Sequence, residues 1–211
     1  MSARERILAR IGMALGDRDA EIDPYLAAHP RGPAPAIQDN LITLFKERAL
    51  KLSSDVIDVA STAEIPARVA HYLQERQLPT RGVCWPAVGG LPWNAASLEI
   101  TVRCANGHDM VGITGTFCAI AETGTLMMLS GPETPASNSL LPETHVAILN
   151  TQRIVASMED AWDLLRAEHP LPPRAINFIS GPSRTADIEQ TVTLGAHGPY
   201  RVLVILVTDP D

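Results

Sequence analysis

Ser180-Gly-Pro-Ser-Arg-Thr-Ala-Asp-Ile-Glu-Gln-Thr-Val-Thr-Leu-Gly-Ala-His-Gly-Pro199 is a dense run of hydroxyl, charged and turn-forming residues. It lies between two apolar runs, residues 175–179 and 202–207, both short, rich in branched aliphatic side chains and bounded by Gly or Pro. Such runs read as buried strands. A polar connection between buried strands points to an α/β protein, in which ligands gather in loops after the carboxyl ends of parallel strands. Gly181 and Pro182 predict a tight turn. Ser183 and Thr185 then predict the cap of a short helix, whose first backbone N–H groups would face an anion. Arg184 would reinforce that site, with Asp187 close by, and the expected ligand is a small carboxylate or phosphate. The alternative is an ordinary strand–helix–strand connection in which Arg184 pairs with Asp187 or Glu189.

Working outward, helix and strand signals alternate. Residues 40–52 predict an amphipathic helix with Leu41, Leu44, Phe45 and Ala49 on one face. Residues 55–60, 82–85, 98–102, 126–129 and 144–149 read as strands. Residues 63–78 and 157–168 read as helices, the second capped by Ser157 with Asp160 three positions on. Residues 117–121 are apolar and predict one or two helical turns. The pattern implies an α/β sheet with crossover helices. Ahead of it, residues 2–16 predict an amphipathic helix, and Pro24, Pro30, Pro33 and Pro35 mark a stiff linker. The expected division is an arm over 1–36 and a main domain over 37–211. The arm is read as packing on its own domain or on a neighbouring subunit, which admits a homo-oligomer.

The 211 residues carry a net charge of -7 and no cluster of Lys and Arg, so nucleic acid is not an expected partner. Cys84, Cys104 and Cys118 are widely spaced and form no CxxC, so no metal or iron–sulfur cofactor is expected in this chain. Their odd number suits the reduced thiols of a cytoplasmic protein. No apolar run approaches the length of a membrane span, and the first fifteen residues lack a secretory core.

Glu122 is the first candidate catalytic group, because a carboxylate between an apolar turn and a buried strand is costly unless it is paired or functional. Its alternative is a capped turn bonded to backbone N–H groups near Gly124. His145 and His197 are candidate proton carriers in the same half of the chain, each with a packed or hydrogen-bonded imidazole as its alternative. Thr123 and Gly124 join Gly181, Ser183, Arg184, Thr185 and Asp187 as the candidate substrate-binding set. No Gly-x-Ser-x-Gly, Gly-x-Gly-x-x-Gly or Walker-type Gly-Lys-Ser occurs, so the hydrolase elbow and the common nucleotide loops are disfavoured.

Gly112-Ile-Thr-Gly115, Ala121-Glu-Thr-Gly-Thr125, Leu140-Leu-Pro-Glu-Thr-His145, and residues 180–189 with Gly195-Ala-His-Gly-Pro199 together resemble the LUD-domain family, over about residues 40–208. The resemblance implies an open sheet with flanking helices, like that of ribose-5-phosphate isomerase, glucosamine-6-phosphate deaminase and the CoA transferases. It also implies a part in oxidising L-lactate to pyruvate beside partner proteins that carry iron–sulfur clusters. Ala121-Glu122-Thr123-Gly124 is similar at two of four positions to the Ser-Glu-Asn-Gly turn of class I CoA transferases, an analogy at the level of the fold. A stand-alone protein acting on a sugar phosphate, small carboxylate or CoA ester is the competing reading.

Overall fold

The computed structural model describes residues 2–15, 40–188, 191–195 and 197–209. The chain divides into two compact units, Met1–Ala36 and Ile37–Asp211. In the first, helix α1 (Ala3–Leu15) begins with a capping box. Glu5 N–H donates to Ser2 Oγ at 3.2 Å and Ser2 N–H to Glu5 Oε2 at 2.6 Å.

The second unit is built on a six-stranded sheet. Its strands are β1 (Asp55–Val59), β2 (Arg81–Cys84), β3 (Glu99–Val102), β4 (Val111–Thr114), β7 (Thr144–Asn150) and β12 (Arg201–Val207). The spatial order is β1-β12-β7-β4-β2-β3, and every neighbouring pair is parallel. The inner strands are buried on both faces, which explains the unbroken aliphatic run of β12. Helices α2 (Leu41–Lys51) and α3 (Ile65–Glu75) send Phe45, Ala49, Ile65, Val69, Tyr72 and Leu73 into this core. Asn40 starts α2, its Oδ1 accepting from the N–H groups of Ile42 and Thr43 at 3.0 and 3.2 Å.

A second sheet closes over the first, in the order β8-β5-β6-β9. It comprises β5 (Cys118–Ile120), β6 (Thr125–Leu129), β8 (Ile154–Val155) and β9 (Ile176–Ile179). β5 and β6 come from the connection between β4 and β7, and β8 and β9 from the connection between β7 and β12. Ala119, Ala121, Leu126 and Met128 join the main core. Cys118, Ile120 and Met127 pack instead under Ala161 and Leu165 of α6 (Met158–Glu168). The alternation has the period of two expected of a strand. It corrects the helical expectation for residues 117–121, because both faces of β5 are apolar and the period is hidden in the sequence. The Ser157–Asp160 capping box at the start of α6 forms as expected.

The helix expected after Gly181 is also corrected. Arg184–Ile188 is strand β10, paired antiparallel with β11 (Thr191–Leu194). The β-branched Thr185, Ile188, Thr191, Val192 and Thr193 favour a hairpin over a helix. The preceding strand β9 belongs to the second sheet, so this stretch does not link two strands of the parallel sheet. Two short helices complete the unit, α4 (Pro86–Gly89) and α5 (Ser137–Leu140).

Gly124 and Gly181 have φ of 67° and 85°. A Cβ on Gly124 would lie 2.5 Å from Ala49 N, and one on Gly181 would lie 2.3 Å from Leu52 O. Both clashes are with backbone at the carboxyl end of α2, so neither can be relieved by a rotamer change. We expect Gly124→Ala and Gly181→Ala each to cost about 2 kcal/mol or more. Gly90→Ala, whose Cβ meets nothing within 4 Å, should be close to neutral. Chemical denaturation of the three variants checks this.

Candidate functional site

The two polar blocks of the sequence converge in space. The turn from residue 121 to 124 closes the β5–β6 hairpin, and residues 180–184 lead from β9 into β10. Thr123 Oγ1 donates to Thr125 Oγ1 at 2.8 Å, and Thr125 Oγ1 lies 2.8 Å from Ser180 Oγ. This hydroxyl chain sits with Gly124 and Gly181 over the end of α2. Arg184 reaches the same place, its Nη2 donating to Leu52 O at 3.2 Å and to Ser53 Oγ. A guanidinium at a helix carboxyl terminus meets exposed carbonyls and the negative pole of the dipole. Arg184 therefore caps α2 in this structure, rather than standing at the amino end of a helix.

Glu122 is half-buried. Its N–H donates to Ala156 O at 3.1 Å. Among the described residues its carboxylate makes no hydrogen bond or ion pair, so the turn that positions it leaves that group uncommitted. Ser183 is held by backbone, donating through N–H to Pro199 O at 2.9 Å and accepting from Gly195 N–H at 2.9 Å. Thr185 is half-buried opposite Thr193. The Asp187 side chain lies outside the described residues.

His145 is not brought to this cluster, whereas His197 precedes Gly198, on which a Cβ would lie 3.2 Å from the Ser183 side chain. His145 is wholly buried in β7, its Nε2 2.8 Å from Thr114 Oγ1, and Nδ1 finds no partner among the described residues. Burial pushes its pKa down to about 3, so the imidazole is neutral and packed. His197 is exposed on the segment leading into β12, and among the described residues no hydrogen bond joins it to His145 or Glu122. Other motif residues also serve packing. A Cβ on Gly112 would lie 2.0 Å from Asn138 O. Buried Asn138 accepts from Ala105 N–H and donates to Arg103 O, both at 2.9 Å, pinning the loop before β4.

A second site follows from topology. From β2 the chain runs outward to the edge strand β3, whereas from β4 it runs the other way to β7. β2 and β4 are neighbours, so their carboxyl ends form the switch point at which open parallel sheets bind ligands. A crevice of about 530 Å³ opens there. Trp85 and Ala87 line it after β2, Gly115, Thr116 and Phe117 after β4, and Leu129, Ser130 and Thr134 at the end of β6. His169, Leu171 and Pro173 complete the wall after α6. None of these residues belongs to the candidate set read from the sequence; Trp85 ends a predicted strand and Phe117 opens a predicted helical turn, and these two aromatics are the available signal.

Burial pushes the Cys84 and Cys118 thiols up to about 11, which leaves them protonated at neutral pH and poor as nucleophiles or metal ligands. Among the described residues no three His, Cys, Asp or Glu side chains gather as a metal set, and no helix is long and apolar enough to cross a membrane.

The LUD domain family profile matches residues 105–207. Lactate utilization protein C of Bacillus subtilis is 32% identical over 194 residues, covering 81% of this chain and 80% of that protein. The chain belongs to the LUD-domain family. Another LUD-domain relative, lactate utilization protein C of Bacillus velezensis, is 29% identical over 98% of this chain and 96% of its own length. A crystal structure of a DUF162 family protein from Deinococcus radiodurans superposes with a TM-score of 0.60 at 23% identity, covering 82% of this chain and 99% of that one. It supports the α/β architecture alone.

His145 gives the LUD domain a defined acid response. The unfolded imidazole takes up a proton below about 6.5, whereas the buried one does so only near 3. Stability from this group is therefore present above pH 6.5 and is lost as pH falls from there toward 3. Asp109 and Glu168, held low by Arg103 and Arg153 respectively, lose their contributions progressively as pH falls below about 5. The wild type should unfold at lower urea at pH 5 than at pH 7, and His145→Met should remove most of that difference.

Proposed function

We propose that this chain is a cytoplasmic component of an L-lactate utilisation system, supporting oxidation of L-lactate to pyruvate together with iron–sulfur partner proteins. The observation that carries this reading is the similarity, over about four-fifths of both chains, to a protein named for lactate utilisation. The division of labour follows from the cysteines. Three cysteines cannot supply the four thiolates that an iron–sulfur cluster ordinarily takes, and two of the three are held protonated. Electron transfer through clusters then falls to the partners, and this chain contributes binding or positioning.

The convergent turn cluster is the proposed contact for a small carboxylate or phosphate. Glu122 presents a carboxylate there for proton transfer, and Thr123 and Ser183 offer hydroxyls beside the Gly124 and Gly181 turns. Among the described residues Arg184 gives Nη2 alone, to the end of α2, and its other nitrogens are of a kind suited to a carboxylate. Thr185 and Asp187 extend the set along β10. His145 is placed outside this role by its burial, and His197 stands as an exposed proton carrier near the hairpin base.

Deletion of the gene should abolish growth on L-lactate while sparing growth on glucose. Complementation with Glu122→Gln or Arg184→Ala should fail to restore it, by tenfold or more in growth yield, with folded protein at wild-type levels by circular dichroism. A deletion strain that grows normally on lactate would overturn the pathway reading. Full complementation by both variants would overturn only the site.

A further inference from the structure

We propose that the crevice between the carboxyl ends of β2 and β4 binds an uncharged, ring-bearing small molecule, whose polar edge hydrogen-bonds to the hydroxyls of Ser130 and Thr134. This holds whether or not the lactate reading does, since it rests on topology and on the chemistry of the walls.

Four separate chain segments enclose the crevice, and its volume of about 530 Å³ lies within the range of roughly 300–1,000 Å³ usual for small-molecule sites. Concavity of this kind suits a small ligand rather than a flat protein surface. The walls supply Trp85, Phe117, Leu129, Leu171 and Pro173. Two of these are held still. Trp85 donates from Nε1 to Pro135 O at 3.0 Å. Phe117 has the Arg153 guanidinium 4.8 Å from its ring centroid and the His169 ring edge-on at 5.6 Å. Rigid aromatic walls keep the entropic cost of binding low. Leu171, 84% exposed at the rim, is apolar surface that an occupant would cover.

The polar groups are few: hydroxyls and the His169 imidazole. Ser130 Oγ accepts from Ala175 N–H at 2.8 Å, which leaves its own proton to donate. The Thr134 hydroxyl has no hydrogen bond among the described residues. Among the described residues no Lys, Arg, Asp or Glu lines the crevice. A phosphate or free carboxylate buried here would have no Lys or Arg to meet it, a penalty that disfavours sugar phosphates and the phosphate groups of CoA. A neutral ring with hydrogen-bonding groups on its edge satisfies both kinds of wall.

The test uses 2-naphthol as the neutral ring and 2-naphthalenesulfonate as its charged counterpart, titrated into the full chain by calorimetry and saturation-transfer NMR. Saturable 2-naphthol binding is expected, with the sulfonate at least about tenfold weaker. Ala87→Trp, which fills the crevice from an exposed position on α4, should weaken 2-naphthol about tenfold or more. Thr134→Val should weaken it several-fold. Should Ala87→Trp lower the melting temperature, Thr134→Phe fills the same space from the opposite wall and gives the same reading. The proposal is overturned if 2-naphthol fails to saturate, if the sulfonate binds as well, or if a folded crevice-filling variant binds 2-naphthol unchanged.

Discussion

A parallel sheet has to be covered on both faces, and that constraint organises this molecule. The backbone of β4, β7 and β12 is paired on both edges, and their side chains are almost entirely buried. Water reaches neither face, so the covering layers must meet the sheet closely. Helices α2 and α3 do part of this work. The rest falls to a second sheet, made from the two long connections that leave β4 and β7. Its own faces divide between the main core and the smaller core under α6. The connections that in simpler α/β proteins are single helices have here become a structural layer.

Much of this was legible where the signal is local. The Ser157–Asp160 box announces its helix because capping is settled within four residues, and the apolar face of residues 40–52 announces another. The runs of β7 and β12 announced buried strands because nothing else of that length is so uniformly aliphatic. Residues 117–121 show no strand period in the sequence because β5 is apolar on both faces, and the two cores that separate its side chains are assembled from distant segments. The Arg184 hairpin escapes the local pattern because Ser183 and Thr185 look like caps, whereas Thr193, the partner that makes Thr185 a strand residue, lies on β11.

The motifs that carry the LUD-domain resemblance divide once their neighbours are seen. Gly112, Gly124 and Gly181 permit close backbone approach, and His145 is a buried neutral group bonded to Thr114. These are long-range contacts that no spacing rule reveals. Among the described residues the Glu122 carboxylate has no hydrogen bond or ion pair, and Arg184 gives only Nη2 to α2, so both are motif residues with chemistry still to offer. The switch-point crevice was invisible for a different reason. Its position depends on strand order, which emerges only when β4 inserts between β2 and β7, and its walls are ordinary apolar residues with no motif of their own.

The proposed role is one of association: a chain without the ligands for a cluster, working beside chains that have them. Affinity purification of the tagged protein from cells growing on L-lactate, with iron measured in the eluate, tests this most directly. Stoichiometric partner chains carrying iron are the predicted result. A single, metal-free chain recovered under conditions that preserve complexes would contradict it.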